Sequence, residues 1–280
     1  MLSLIKQSFC PNHCFRKRLM GILCPDLFNN NGSVNSIYKR MTRSINDCNA
    51  TLIYPLSFTE LNQNIKPKCI SNQQSVIYAG HDLPVWLGDP HGADIRIMVL
   101  SQDPRRNDAE MKVVKNQKGI GLSSPFGLHS PKWRSHKMRG MIHYLFIEMI
   151  QDYAKNGKKL SVYYTDVYKL RGVDSKNNSS VLDIDNEALY LSILEKELSL
   201  FKPDAVLLMG KSAQDAFSGL QGSLQSNNPI IIKVPHPNAR PSTWKNQFPH
   251  MGSFDAGSKR KCIKDCIESS ICTILRSSCP

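Results

Sequence analysis

Four short apolar runs, each paired with a neighbouring stretch of helical periodicity, constrain the fold of this chain more than any other feature. They are Arg96–Ser101 around the core Ile97–Leu100, Leu160–Val167, Ala205–Met209 and Ile230–Val234. Runs of this length without polar alternation suit strands covered on both faces, as in a parallel sheet. Met138–Tyr153, Asn186–Phe201, the stretch from Gly210 to Leu220, and Lys261–Leu275 carry apolar residues at helical spacing. Alternation of this kind predicts an α/β fold with right-handed crossovers. The expected architecture is a three-layer α/β/α sandwich around a central four-stranded parallel sheet.

The ends of these runs carry the chemistry. The first reads R-I-M-V-L-S-Q-D-P, where Pro104 stops pairing and pushes Asp103 out of helical geometry. Asp166 stands at the end of the second run, and His236 follows the fourth. The carboxyl ends of parallel strands share one edge, where open α/β sheets keep their ligand sites. A solitary Asp or His at such a place is ordinary turn chemistry. Three at corresponding ends predict a converging site.

Charge narrows the partner. The chain has 36 Lys+Arg against 23 Asp+Glu, a formal +13, which predicts a polyanion and most simply nucleic acid. No apolar run is long enough to span a bilayer, so no membrane partner is expected. Nine cysteines make an odd number, and Lys6, Pro11 and Arg16-Lys17-Arg18 interrupt any secretory signal. A cytoplasmic, reducing setting with free thiols follows. Cys10, His13 and Cys14, and the pair Cys262 and Cys266, match no strong zinc or iron–sulfur spacing, so neither metal nor cofactor is expected. Gly210-Lys-Ser lacks the upstream glycine of a Walker loop, and Gly-x-Gly-x-x-Gly is missing too.

Two regions are expected. Residues 1–75 are basic and rich in Asn and Ser, with one short helix over Val34–Ile45. That segment reads as a helical cap, a DNA-contacting arm or a transit peptide. Residues 76–280 read as the catalytic domain. Within them Arg105 to Trp133 reads as a long loop holding Arg105, Arg106 and Lys132, and loops of that length in compact domains are usually functional.

The same pieces, in this order, resemble the uracil-DNA glycosylase superfamily. Ser101-Gln-Asp-Pro104 is similar to the family's Gly-Gln-Asp-Pro-Tyr. Gly121-Leu-Ser-Ser-Pro-Phe126 is similar to its Gly-Leu-x-Phe-Ser, Tyr164-Thr-Asp166 to a strand ending in Asn, Met209-Gly-Lys-Ser-Ala-Gln214 to Trp-Gly-x-x-Ala-Gln, and Val234-Pro-His-Pro-Asn-Ala-Arg240 to His-Pro-Ser-Pro-Leu. The likeness covers roughly Trp86 to Leu275. It implies a monomeric, cofactor-free enzyme that flips a nucleotide from double-stranded DNA and hydrolyses its N-glycosidic bond. Asp103 would stabilise the sugar cation and position water. His236 and the Gln102 N–H would hydrogen-bond the departing base.

The base-stacking position is open between Phe126 and Ser124, which strict alignment puts at the family's Phe. Phe126 as plain core is the other reading. Arg106, Lys132, Arg134, Arg240 and Lys245 would meet DNA, Arg240 standing where the family has its wedging leucine. Two departures bear on the base. Arg105 replaces the tyrosine that walls off C5, and Asp166 replaces the Asn that reads uracil. An ionised Asp166 is acceptor-only and suits the N4 amino group of cytosine. The chain therefore also resembles anti-phage glycosylases of this superfamily that remove hydroxymethylated or glucosylated cytosine. An ordinary uracil enzyme of base-excision repair, with Asp166 as drift, is the alternative. A non-catalytic binding protein on the same fold is another, and a nucleotide-handling Rossmann-like enzyme a third.

Overall fold

The computed structural model describes residues 12–44, 51–65, 69–70, 74–102, 119–174, 180–181, 186–220 and 228–277. Helix α1 (His13–Leu23) starts where the Asn12 side chain accepts from the Phe15 N–H at 2.9 Å, and it buries Phe15, Leu19, Met20 and Leu23. Helix α2 (Asn31–Ser44) buries Val34, Ile37, Tyr38 and Met41, one stripe at helical spacing. Strands β1 (Tyr54–Ser57), β2 (Cys69–Ile70), β3 (Gln74–Asp82), β4 (Val85–Leu87), β5 (Ile95–Ser101) and β6 (Gly119–Ser123) come next. Helices α3 (Pro131–Arg134) and α4 (Lys137–Lys155) lead to β7 (Leu160–Asp166), β8 (Leu170–Asp174) and β9 (Ser180–Val181). The chain continues with α5 (Glu187–Phe201), β10 (Ala205–Met209), α6 (Lys211–Leu220), β11 (Ile230–Val234), α7 (Pro241–Gln247) and α8 (Ala256–Ser277).

The main sheet has the order β11-β10-β5-β7-β4. Its first four strands are the expected ones and are mutually parallel. The expectation of four strands needs correction, because β4 adds a fifth, antiparallel to β7. This short strand takes up the edge that β7 would otherwise leave unpaired. Trp86 of β4 is fully buried beneath Phe15, ring centroids 4.9 Å apart, and Tyr38. The amino-terminal helices thus share the core of the parallel sheet. Every residue of β7 and β10 is buried, and so is every residue of β5 except half-buried Arg96, so both faces are covered. Helices α4 and α8 pack together and against β7, β10 and β11. Helix α6 packs on β10 and β5, with α5 beside it and α1 beside α5.

A second sheet, β1-β6-β3-β8-β9 with β2 on β3, is antiparallel apart from the β3–β6 pair. It corrects one reading. The supposed loop from Arg105 to Trp133 contains β6, and its residues 105–118 lie outside those described.

Register sets the working edge. Ser101 pairs with Asp166, Leu100 with Leu208, and Met209 with Val234. The four parallel strands therefore end within about one residue of each other, and the residues after them emerge on one side of the sheet. Among the described residues no helix is long and apolar enough to cross a membrane.

Candidate active site

Strands β5 and β7 stay joined beyond their ends. The Val167 N–H donates to the Ser101 carbonyl and the Tyr168 N–H to that of Gln102, both at 2.9 Å. Ser101 and Asp166 are paired residues of neighbouring parallel strands, so their side chains leave the same face. The Ser101 hydroxyl donates to an Asp166 carboxylate oxygen, and Asp166 is 3% exposed. Gln102 turns its amide oxygen to the hydroxyl of Ser212, which donates at 2.9 Å and ties β5 to the first turn of α6. Asp103, Arg105 and Arg106 lie outside the described residues.

His236 sits on a loop braced from three sides. Gly210 has φ +90°, and a Cβ there would come within 3.2 Å of the His236 Cβ, so only glycine lets the β10–α6 turn approach this closely. The Gly210 N–H and the Gln214 amide both donate to the Val234 carbonyl, at 2.9 and 3.1 Å. Buried Trp244 of α7 donates its indole N–H to the His236 carbonyl at 3.3 Å. Lys259 of α8, 3% exposed, donates to the carbonyls of Pro237 at 2.9 Å and Ala239 at 3.4 Å, and lies 5.3 Å from the Trp244 ring centre. Burial lowers the Lys259 pKa. The Asn238 N–H donates to Nδ1 of His236 at 3.2 Å. A backbone N–H can only donate, so Nδ1 carries a lone pair and the proton of the neutral ring resides on Nε2.

The Phe126 turn faces this loop. Phe126 and His236 lie near parallel, 21° apart with ring centres separated by 6.3 Å. Phe126 holds φ +56°, a left-handed conformation uncommon for an aromatic residue and concentrated at functional sites. Gly127 beside it has φ +68°, and a Cβ there would strike the Trp133 ring at 2.5 Å.

Ser124 is engaged elsewhere. His129 gives its Nε2–H to the Thr51 carbonyl at 3.0 Å, so its Nδ1 accepts from the Ser124 hydroxyl at 2.8 Å. The His129 N–H donates back to the Ser124 oxygen at 3.0 Å. Ser124 thus shapes the turn, and of the two candidates only Phe126 brings a ring to His236.

A closed polar cluster lies behind β7. Lys169 and Glu197, each about 1% exposed or less, meet at 2.6 Å. Thr165 and Tyr163 hydroxyls also donate to Glu197, at 3.2 and 3.1 Å, while Lys169 reaches the Thr165 oxygen at 2.8 Å. The Lys169 carbonyl is bonded to His81 Nδ1. The cluster pins the turn that follows Asp166.

Of the expected DNA contacts, Lys132, Arg240 and Lys245 are exposed near the Phe126 turn or the His236 loop. Arg134 instead donates to the carbonyls of Leu128 and His129 at 3.0 and 3.3 Å, bracing the chain behind Phe126. The neighbouring His143, buried and near the Arg134 cation, has its pKa pushed down to about 3. Cys262 and Cys266 sit one turn apart on α8, and burial first of all lifts the Cys262 thiol to about 11. Sequence reading missed Ser101, Glu197 and Lys259. A signal existed for Glu197, an acid flanked by the buried Leu194 and Leu198 of its helix.

A family model described as the uracil DNA glycosylase superfamily matches residues 90–262. No curated protein matches the chain. Among solved structures it is similar to a Zn-dependent exopeptidase from Parabacteroides distasonis, 10% identical over 91% of this chain and 95% of that one, with a TM-score of 0.32. A likeness that low carries no argument about fold or activity.

Proposed function

The chain belongs to the uracil DNA glycosylase superfamily, whose model covers well over half of its 280 residues, and on that premise we propose that it is a monofunctional DNA glycosylase reading a C5-modified cytosine. The observation that carries the choice of base is Asp166, a buried carboxylate at the strand end where a base-reading group is required. An ionised carboxylate repels O4 of uracil but accepts from the N4 amino group of cytosine. A proton shared with N3 would complete the match and improve the leaving group.

The remaining roles follow from the chemistry of an oxocarbenium-like sugar and an anionic departing base. The enzyme first flips the nucleotide out of the duplex. Phe126 stacks on it. His236 donates its Nε2–H to O2 of the base, where charge develops, and the Gln102 N–H is a second donor. Asp103 as a carboxylate stabilises the sugar cation and positions the attacking water. Arg105 contacts the C5 substituent. Lys132, Arg240, Lys245 and Arg106 neutralise phosphates, while Ser124 and Arg134 hold the turn that carries Phe126. Residues 76–280 are the catalytic domain and residues 1–75 its extension, whose helices α1 and α2 share the domain's core and whose strand β1 pairs with β6.

Unmodified cytosine cannot be the target, because its removal would destroy the cell's own DNA. Hydroxymethylated and glucosylated cytosines of phage genomes satisfy the chemistry, which makes anti-phage defence the corresponding role. The family's own description favours the second reading, excision of uracil in repair. The protein is to be incubated with duplexes carrying uracil, cytosine, hydroxymethylcytosine or its glucosylated form, then heated in alkali to break abasic sites. Breakage confined to the modified cytosines supports the proposal, breakage at uracil alone supports repair, and none on any duplex overturns both.

A further inference from the structure

A cavity of about 230 Å³ opens at the edge of the main sheet opposite the candidate active site. Arg96 stands at the start of β5 and Ser101 at its end, so roughly 17 Å of strand separates the two edges. The basic lining of the cavity is Arg18, His91, Arg96 and Lys202, and Phe15 and Phe201 are among its apolar walls. No Asp or Glu lines it among the described residues. We propose that this cavity is a second binding site, for a small phosphate dianion, either inorganic phosphate or a phosphate monoester. The inference goes beyond the choice of base and does not depend on it.

Three separate parts of the fold bring the cations together. Arg18 is on α1, His91 and Arg96 flank the start of β5, and Lys202 caps the end of α5. Like charges repel, so their convergence is unfavourable without an anion. The Arg18 and Lys202 side chains form no ion pair or hydrogen bond among the described residues. The Arg96 Nε lies 3.6 Å from an Asp204 carboxylate oxygen, beyond hydrogen-bond reach, and its terminal nitrogens bond no described residue. Two carboxylates stand nearby, and neither lines the cavity. Asp204 accepts from the Arg96 backbone N–H at 2.8 Å, and Asp89 from the Asn12 amide and the His91 N–H at 2.9 and 3.1 Å. The three Arg and Lys charges outnumber them. A lysine at a helix C-terminus is favourable in itself, because it faces the negative end of the dipole. That explains Lys202 but neither Arg18 nor Arg96.

Charge, donors and size set the ligand chemistry. Guanidinium groups present paired N–H donors that match phosphate oxygens, and lysine adds a point charge. Sites for drug-sized ligands run to about 300–1,000 Å³, so this smaller one suits phosphate with at most a small substituent and not a segment of duplex. A duplex lying on the working edge keeps its phosphates on the other side of the sheet. Phe15 and Arg18 precede the family-matched residues 90–262, whereas His91, Arg96, Phe201 and Lys202 lie within them. The site is thus shared between the extension and the family-matched region, and pockets favour such junctions.

The test is titration calorimetry of the full chain at neutral pH and constant ionic strength, with inorganic phosphate in one arm and ribose 5-phosphate in the other. Wild type should bind at least one of them saturably and one to one. Arg18→Ala, Lys202→Ala and Arg96→Gln should each weaken that binding on the order of tenfold, the scale of one charge-assisted hydrogen bond. Arg18 and Lys202 are exposed, so their replacement tests the site even where Arg96→Gln fails to fold. Lys261→Ala, which removes an exposed charge from α8, should bind as wild type does. Tighter binding of inorganic phosphate supports the free anion as ligand, and tighter binding of ribose 5-phosphate supports a monoester. No saturable binding of either probe overturns the site. So does binding untouched by Arg18→Ala and Lys202→Ala, or weakened just as much by Lys261→Ala. Each outcome is independent of which base the protein releases.

Discussion

Two buried carboxylates flank β7, and they are used in opposite ways. Glu197 is enclosed by an ammonium and two hydroxyls, with Lys169, Thr165 and Tyr163 all engaged on it. It lies on a helix face inside the core. Asp166 is nearly as buried but stands at the strand end, held by a hydroxyl from the next strand. A carboxylate closed off by a cation and hydrogen bonds fixes structure, and a carboxylate aimed along the ligand edge of a parallel sheet can read a substrate. The comparison predicts that changes at Glu197 act on folding and changes at the edge act on chemistry.

The largest effect should come from Glu197→Ala. Removing one partner strands the Lys169 charge in the core, and the loss should be roughly 3–5 kcal/mol in chemical denaturation. A Glu197→Ala protein of nearly wild-type stability would mean that the cluster opens to solvent, and the contrast with Asp166 would fail. At the edge, Asp103→Asn should abolish most base release with DNA affinity almost unchanged, because it deletes a charge needed only in the transition state. His236→Ala should lower kcat by about 100-fold, the usual loss of one preorganised donor, while the melting temperature stays close to wild type. Full turnover in either variant would remove that residue from the chemistry.

The Asp166 side of this contrast was legible in the sequence, and the Glu197 side was not. Strands β10 and β11 were readable to the residue, and β5 and β7 to within one, because central parallel strands, buried throughout in β7 and β10 and partly in β11, leave mainly apolar runs. The ends of those runs pointed to Asp166 and His236. The second sheet was not legible. Its strand β6 is Gly-Ile-Gly-Leu-Ser, which glycine disguises as loop, and its partners β1 and β3 are distant in sequence. Helix α7 was hidden in a His-Pro-Asn-Ala-Arg-Pro stretch that reads as turn, although Pro241 at its first position is a normal start. Ser101 had meaning only once register set it beside Asp166.

A smaller effect concerns acid. His143 has its pKa pushed down to about 3 by burial and by Arg134, against a usual 6.5. Between those values the unfolded chain binds a proton that the folded one refuses, so stability falls as pH drops below about 6.5. From this group alone the slope is at most about 1.4 kcal/mol per pH unit. His143→Phe should flatten the acid limb of a pH–stability curve, and an unchanged limb would show that His143 does not titrate on unfolding. Smaller still should be the stability change in Asp166→Asn, within about 1 kcal/mol, which separates it from Glu197→Ala. DNA affinity should decline with rising salt, one exposed cation at a time, so Lys245→Ala should lower the slope by about one phosphate.

The central claim is that Asp166 reads the base, and one exchange tests it most directly. Single-turnover release is measured for wild type and Asp166→Asn on duplexes carrying uracil or glucosylated hydroxymethylcytosine. The account predicts that wild type releases the modified cytosine and spares uracil, and that the asparagine variant reverses the preference. Equal preferences in the two proteins, or efficient release of uracil alone by wild type, would contradict it.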